Sequence, residues 1–177
     1  MKILIIPGSV RPGSANQHVI PYVEKDLAAR DGVEVEVASL DDIRLPFYDA
    51  PMPPSAEGFE ATDEKVKAWT AKVGSADAYV FVVPEYNHSM SAIQKNAIDW
   101  VYTEWNGKKA AVVTYNWYDH KNAVDTLRAV FPIVKLEMVE PVAGLKFGVE
   151  LAPDGSVIDE AALKAKVHES ISALVEA

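Results

Sequence analysis

Ile3-Leu-Ile-Ile-Pro-Gly-Ser-Val-Arg-Pro-Gly-Ser-Ala-Asn-Gln17 opens the chain with an abrupt change of character. Four apolar residues, Ile3 to Ile6, stop at Pro7-Gly8. A run this short, closed by Pro and Gly, predicts a strand buried on both faces of a parallel sheet. A loop with Gly8, Ser9, Arg11, Gly13 and Ser14 follows, and then a helical pattern. In a parallel sheet the chain leaves the strand's C-terminal edge and returns through a crossover helix, and ligands sit at that edge. Small residues let backbone N–H groups approach an anion, the helix start adds partial positive charge, and Arg11 offers a planar fork. This is the chemistry of a phosphate cradle. It is equally that of a capped loop in which Ser14 satisfies helix N–H groups and Arg11 is solvated.

The length, 177 residues, suits one domain spanning 1–177 with a sizeable core. Apolar residues make up 49% and charged residues 24%, an ordinary globular mixture. No apolar run approaches the roughly 20 residues that a bilayer span needs, and Ile3 to Ile6 is too short for a signal-peptide core. The absence of cysteine excludes a disulfide framework, a thiolate nucleophile and any Cys-based metal site, and makes the cytoplasm the expected location. A net charge of −9 argues against a nucleic-acid surface.

Strand and helix patterns alternate to the end. Ser14 and Gln17 have capping-box spacing, and Ile20, Val23 and Leu27 recur on one helical face that Pro21 interrupts. Val33 to Val37 alternates as an edge strand, and Ser39 to Phe59 is an irregular, proline-rich connection. Thr62 or Asp63 caps a helix carrying Val66, Trp69 and Val73, and Ala78 to Val83 is the most apolar strand. Ser91 and Gln94 open another helix, expected to run to about Trp105. Lys109 to Thr114 is a fourth strand, Asn122 or Asp125 starts a helix ended by Pro132, and Val134 to Val139 is a fifth strand. Pro141 to Val149 extends that strand or makes a return hairpin, and Asp159 caps a last helix with Leu163, Val167, Ile171 and Leu174 inward. The expected fold is an α/β three-layer sandwich around a five-stranded parallel sheet. With strand order 2-1-3-4-5, the loops after the first and third strands flank one crevice.

The loop after the third strand, Pro84-Glu-Tyr-Asn-His-Ser89, offers an aromatic ring and polar groups beside a helix start, which suits a planar heteroaromatic ligand. Its plainer reading is Tyr86 on the core and Asn87 in a turn. The first loop lacks G-x-G-x-x-G and the P-loop G-K-[ST]. The four histidines show no metal spacing, and Ser89 lacks the G-x-S-x-G elbow of a hydrolase.

Together these stretches resemble the NADPH-dependent FMN reductases, which include quinone, azo-dye and chromate reductases of flavodoxin-like fold. The family pattern G-S-x-R-x-x-S-x-N is met by Gly8, Ser9, Arg11, Ser14 and Asn16. Its P-E-Y-N-x-S, followed by K-N-A-x-D-W, is met by Pro84, Glu85, Tyr86, Asn87 and Ser89, then by Lys95, Asn96, Ala97, Asp99 and Trp100. The resemblance covers residues 1 to about 150. It implies FMN as cofactor and NADPH or NADH as electron donor, with phosphate contacts from Ser9, Arg11, Ser14, Ala15 and Asn16. It implies flavin contacts from Pro84, Glu85, Tyr86, Asn87 and Ser89, and from the third loop at Thr114, Asn116 and Trp117. The flavin then carries the chemistry, and no side chain need act as acid or base.

One departure stands out. The family's glycine-rich third loop is replaced here by Thr114-Tyr-Asn-Trp-Tyr-Asp-His-Lys-Asn-Ala123, whose aromatics can stack on a ring, narrow access, or lie in a subunit interface. The resemblance implies a homodimer or homotetramer packed through the helix that opens at Ser91, and a small-molecule acceptor such as a quinone or azo compound. The rival readings are a flavodoxin-like electron carrier, for which the T-G-x-T signature is missing, and a flavin-free interaction or regulatory protein.

Overall fold

A computed structural model describes residues 1–177. The elements in chain order are β1 (Lys2–Pro7), α1 (Asn16–Ala28), β2 (Glu34–Val37), α2 (Leu40–Ile43), α3 (Glu64–Ser75), β3 (Ala78–Pro84), α4 (Ala92–Asp99), β4 (Lys109–Asn116), α5 (Lys121–Val130), β5 (Glu137–Met138), β6 (Ala143–Lys146) and α6 (Glu160–Val175). All pairings are parallel, in the order β2-β1-β3-β4-β5, with β6 also on β4. This is the flavodoxin-like α/β architecture expected from the sequence.

Strand side chains alternate between two cores. Leu4, Ile6, Tyr79, Phe81 and Val112 face α3, α4 and α5. Ile3, Ile5, Val80, Val82 and Val113 face α1 and α6. Every residue of β3 is buried, which explains its unbroken apolar run.

Several boundaries differ from expectation for physical reasons. No side chain caps α1: Ala15 is its N-cap, so Ser14 and Gln17 form no capping box. Pro21 lies inside one continuous α1. The irregular connection contains a single helical turn, α2, capped by Ser39. Helix α4 stops at Asp99, well short of Trp105. The indole N–H groups of Trp69 and Trp105 donate to the carbonyls of Ala97 and Ile98, at 2.8 and 3.4 Å, where further helix would otherwise supply donors. Trp105 then sits in a separate 3₁₀ turn, Thr103–Trp105, fully buried against Tyr79 and Phe81. Asp63 and Asp159 cap α3 and α6 as expected. Helix α5 begins at Lys121, before either expected cap.

The fifth strand position is divided. Glu137–Met138 pairs with the start of β4, and Val139 N–H still donates to Ala110 O at 2.9 Å. Pro141 has no N–H to give the ladder, and the chain rejoins β4 at Ala143. So Ala143–Lys146, within the 141–149 stretch, extends the sheet as a parallel strand on β4 and carries the ladder to Asn116↔Lys146, and a turn at 148–150 follows. Strand β4 itself runs two residues beyond Thr114, to Asn116.

The turn between β6 and α6 is fixed by Glu150, whose side chain is 3% exposed and pairs with Lys166 Nζ at 2.7 Å and Lys146 N at 2.9 Å. Burial pushes this carboxyl up, but the hydrogen bonds from Lys166 and Lys146 outweigh it and hold it below its ordinary range. A carboxyl lowered in the folded state stabilises above its unfolded pKa, near 4.3, and that stability is lost as pH falls through the folded value. Glu150→Gln is expected to cost about 1.5 kcal/mol at neutral pH and to flatten the acid limb of stability. Urea unfolding at a series of pH values checks it.

Candidate functional site

The C-terminal ends of β1, β3 and β4 open on one cleft of about 380 Å³. Arg11, Ser14, Ala15, Pro84, Glu85, Tyr86, Asn87, Asn116 and Trp117 line it, so the two motif loops do meet, as the strand order requires.

The first loop comes close to its neighbours only because Gly8 has no side chain. A Cβ there would lie 2.6 Å from Gln94 Oε1 and from Pro84 Cδ. Gly8 N–H donates to Val82 O at 2.7 Å, and Gln94, fully buried on α4, donates through Nε2 to Ile6 O at 3.1 Å. The start of α1 therefore points into the cleft with no side-chain cap. Arg11 is exposed, with its guanidinium 5.8 Å from the centre of the Tyr86 ring.

Ser9 and Asn16 stand behind the wall. The Asn16 amide donates to Ser9 O at 3.1 Å and its Oδ1 accepts from Tyr115 OH at 2.8 Å, joining the ends of β1 and β4. Burial pushes the Tyr115 phenol up, keeping it a neutral donor. Ser9 Oγ lies 2.6 Å from Tyr86 OH, bridging the first and second loops.

The second loop is a two-residue hairpin turn. Tyr86 N–H donates to Ser89 O at 2.9 Å and Ser89 N–H to Tyr86 O at 3.1 Å. Asn87 and His88 take φ of 50° and 63°, the type I′ geometry, which suits Asn and strains His. Glu85 looks like a ligand group in sequence, yet its side chain is 6% exposed and serves α5. Its Oε2 accepts from Ala123 N at 3.3 Å and its Oε1 from Asn122 Nδ2 at 3.4 Å. A carboxylate at a helix start also meets the helix dipole. Glu85→Gln is expected to lower unfolding free energy by about 1 kcal/mol, measured by urea denaturation, because an amide nitrogen cannot accept these N–H groups.

Besides Ser9 and Asn16, two more residues of the expected set lie off the cleft wall. Thr114 is fully buried and its hydroxyl donates to Val83 O at 2.9 Å, while Ser89 closes the turn and borders a separate groove beside α4 and α5. Asn116, by contrast, is 5% exposed, lines the cleft, and its Nδ2 meets no acceptor in the chain. The K-N-A-x-D-W residues are structural. Asn96 holds Tyr48 N and Pro46 O, Trp100 Nε1 donates to Pro46 O at 2.8 Å, and both Trp100 and Trp105 belong to the chain's own core.

The sequence reading missed a wall of the cleft formed by Phe147 and by Pro153, Asp154 and Gly155. Gly155, at φ 88°, brings this turn against α1, where a Cβ would lie 2.9 Å from Ala15 Cα. Asp154 spends its carboxylate on Ser156, accepting from its N and Oγ at 3.0 and 2.6 Å. Pro153-Asp-Gly was legible as a turn, and nothing local tied it to residue 15.

A doubly wound parallel sheet with loops after β1 and β3 opening on one switch-point cleft defines a flavodoxin-like α/β protein. The chain belongs to the NADPH-dependent FMN reductase family, whose profile matches residues 1–148. It is 31% identical to an NAD(P)H-dependent FMN reductase of Saccharomyces cerevisiae over 179 residues, covering 93% of this chain and 94% of that protein. It is 38% identical to a quinone reductase of Escherichia coli over 102 residues, 57% of this chain and half of that protein. The structure of FerB, a flavoenzyme NAD(P)H:(acceptor) oxidoreductase from Paracoccus denitrificans, superposes with TM-score 0.74 at 25% identity, covering 99% of this chain and 97% of that one. The protein is thus an oxidoreductase enzyme of a family that uses FMN, with NAD(P)H as electron donor. No helix is long and apolar enough to cross a membrane.

Proposed function

We propose that the enzyme binds FMN in the β1/β3/β4 cleft and uses NADPH or NADH to reduce quinones, azo compounds or similar small acceptors, donor and acceptor using the cleft in turn. The buried, partnerless Asn116 Nδ2 carries this reading: a donor enclosed without an acceptor is costly unless a ligand supplies one. The donor set fits FMN at both ends. Arg11, Ser14 and the uncapped start of α1 suit a phosphate monoester, while Asn116 and the backbone of Pro84 to Asn87 suit the polar edge of a ring.

Ser9 and Asn16 keep the first loop in register with Tyr86 and Tyr115, and Ala15 lets the α1 backbone come close. Ser89 holds the turn that presents Tyr86 and Asn87. Bound FMN supplies the two-electron chemistry. In net terms a quinone gains the hydride lost by NAD(P)H and one proton from water, giving hydroquinone and NAD(P)⁺. The same reading takes residues 1–177 as one FMN-binding domain, working in the cytoplasm as a homodimer or homotetramer through α4.

Purified protein reconstituted with FMN is expected to show the visible band of bound flavin and quinone-dependent NADPH oxidation. A colourless protein without such activity contradicts the proposal. A coloured one without turnover is a carrier. Light scattering that shows a monomer removes the oligomer.

A further inference from the structure

We infer that Trp117, backed by Phe147, is a stacking platform at the cleft mouth that makes this enzyme prefer planar fused-ring acceptors to single-ring ones; the inference rests on the cleft being where acceptors are reduced.

The four tryptophans divide sharply. Trp69, Trp100 and Trp105 are at most 5% exposed and each donates its indole N–H to a backbone carbonyl, while Trp117 is 52% exposed and lines the cleft. One face of Trp117 stacks on Phe147, centroids 4.9 Å apart at 28°. Phe147 in turn meets Tyr115 edge-on, at 6.1 Å and 86°, and Tyr115 is tied to Asn16. Phe147 N–H donates to Asn116 O at 2.8 Å, so the pair is mounted on the end of the sheet. The loop is also held at its far end, where His120 lies over Gly144 so closely that a Cβ there would come within 2.2 Å of Nδ1. Tyr118, 75% exposed, adds a second ring to the same rim.

An exposed aromatic group at a polar cleft marks a binding surface when it is contiguous and rigid. Here the free faces are flat and extend over a bicyclic indole. A two- or three-ring quinone covers that face, whereas a benzoquinone covers about half of it, and stacking gain follows the overlap.

The test measures binding to the FMN-loaded enzyme, without nicotinamide nucleotide so that nothing turns over. Anthraquinone-2-sulfonate and a sulfonated benzoquinone are compared by equilibrium dialysis, with tryptophan emission followed in parallel. The fused ring is expected to bind about tenfold more tightly and to quench the solvent-exposed emission. Trp117→Leu should loosen it about tenfold, with less than about threefold change for the single ring, and Trp117→Phe should restore most of the preference. Equal affinity for the two probes in the unmodified enzyme overturns the proposal, as does fused-ring binding untouched by Trp117→Leu. If Trp117→Leu does not fold, the wild-type preference and the Trp117→Phe result decide. FMN content is read on the same samples. Coloured protein without ring preference sinks the platform alone, and protein that takes up no FMN yet prefers the fused ring sinks only the flavin reading. Should FMN added to apoprotein quench Trp117 while the loaded enzyme ignores fused rings, the platform serves the cofactor and the proposal fails.

Discussion

Gly8→Val is expected to lower stability by about 3 kcal/mol and to abolish FMN uptake. The added Cβ alone would sit 2.6 Å from Gln94 Oε1 and Pro84 Cδ and 2.8 Å from Gln94 Cδ. None of these neighbours is a loose end. Pro84 terminates the fully buried β3, and Gln94 is fully buried with Nε2 bonded to Ile6 O. Overpacking a rigid site costs about 1–3 kcal/mol, and valine adds two methyl groups beyond the first clash. The first loop must then lift away from β3, taking Arg11 and the start of α1 with it. Urea unfolding and an FMN titration check both halves. Normal stability in the variant would show that the loop yields easily and is no rigid cradle.

Arg11→Ala should act on binding alone, weakening FMN by about 1.5–3 kcal/mol, or roughly 10- to 150-fold. Its guanidinium is solvent-exposed and forms no ion pair within the chain, so folding stability should stay within about 0.5 kcal/mol of wild type. A charge-assisted contact to a phosphate monoester is lost, and nothing nearby replaces it. Arg11→Lys should recover part of the affinity, since lysine keeps the charge and loses the planar fork. Isothermal titration with FMN measures all three chains. Affinity unchanged in Arg11→Ala removes this residue from the phosphate end.

The periodic parts of the chain were legible because local pattern and tertiary role coincide. The apolar runs at Ile3 and Ala78 have no polar side to expose, so they read directly as central strands. Asp63 and Asp159 were legible because a cap acts within its own turn. The meeting of the two motif loops followed from strand order, which alternation of strands and helices made the natural choice.

What escaped depends on contacts between distant segments. Helix α5 is held at its start by Asp119, which accepts from Lys121 N, and by Glu85, which accepts from Ala123 N across α4 and β4, so the expected caps Asn122 and Asp125 mark the start too late. Helix α4 ends early because Trp69 and Trp105 occupy its last carbonyls, while its apolar pattern runs on to residue 105. Ser14, with textual spacing suited to a cap, leaves the helix start open toward the cleft. Thr114 and Asn116 differ by two positions on one strand, yet one is consumed by Val83 O and the other is left with a spare donor. Phe147 and the 153–155 turn reach the site only through the β6 ladder and the Gly155–Ala15 approach.

Stoichiometric titration of the apoprotein with FMN, followed by flavin absorbance, tests most directly that the ends of β1, β3 and β4 form one mononucleotide site. One FMN per chain, with affinity falling in both Arg11→Ala and Asn116→Ala, is the predicted result. A protein that stays colourless, or that binds FMN with equal affinity in all three forms, would contradict it.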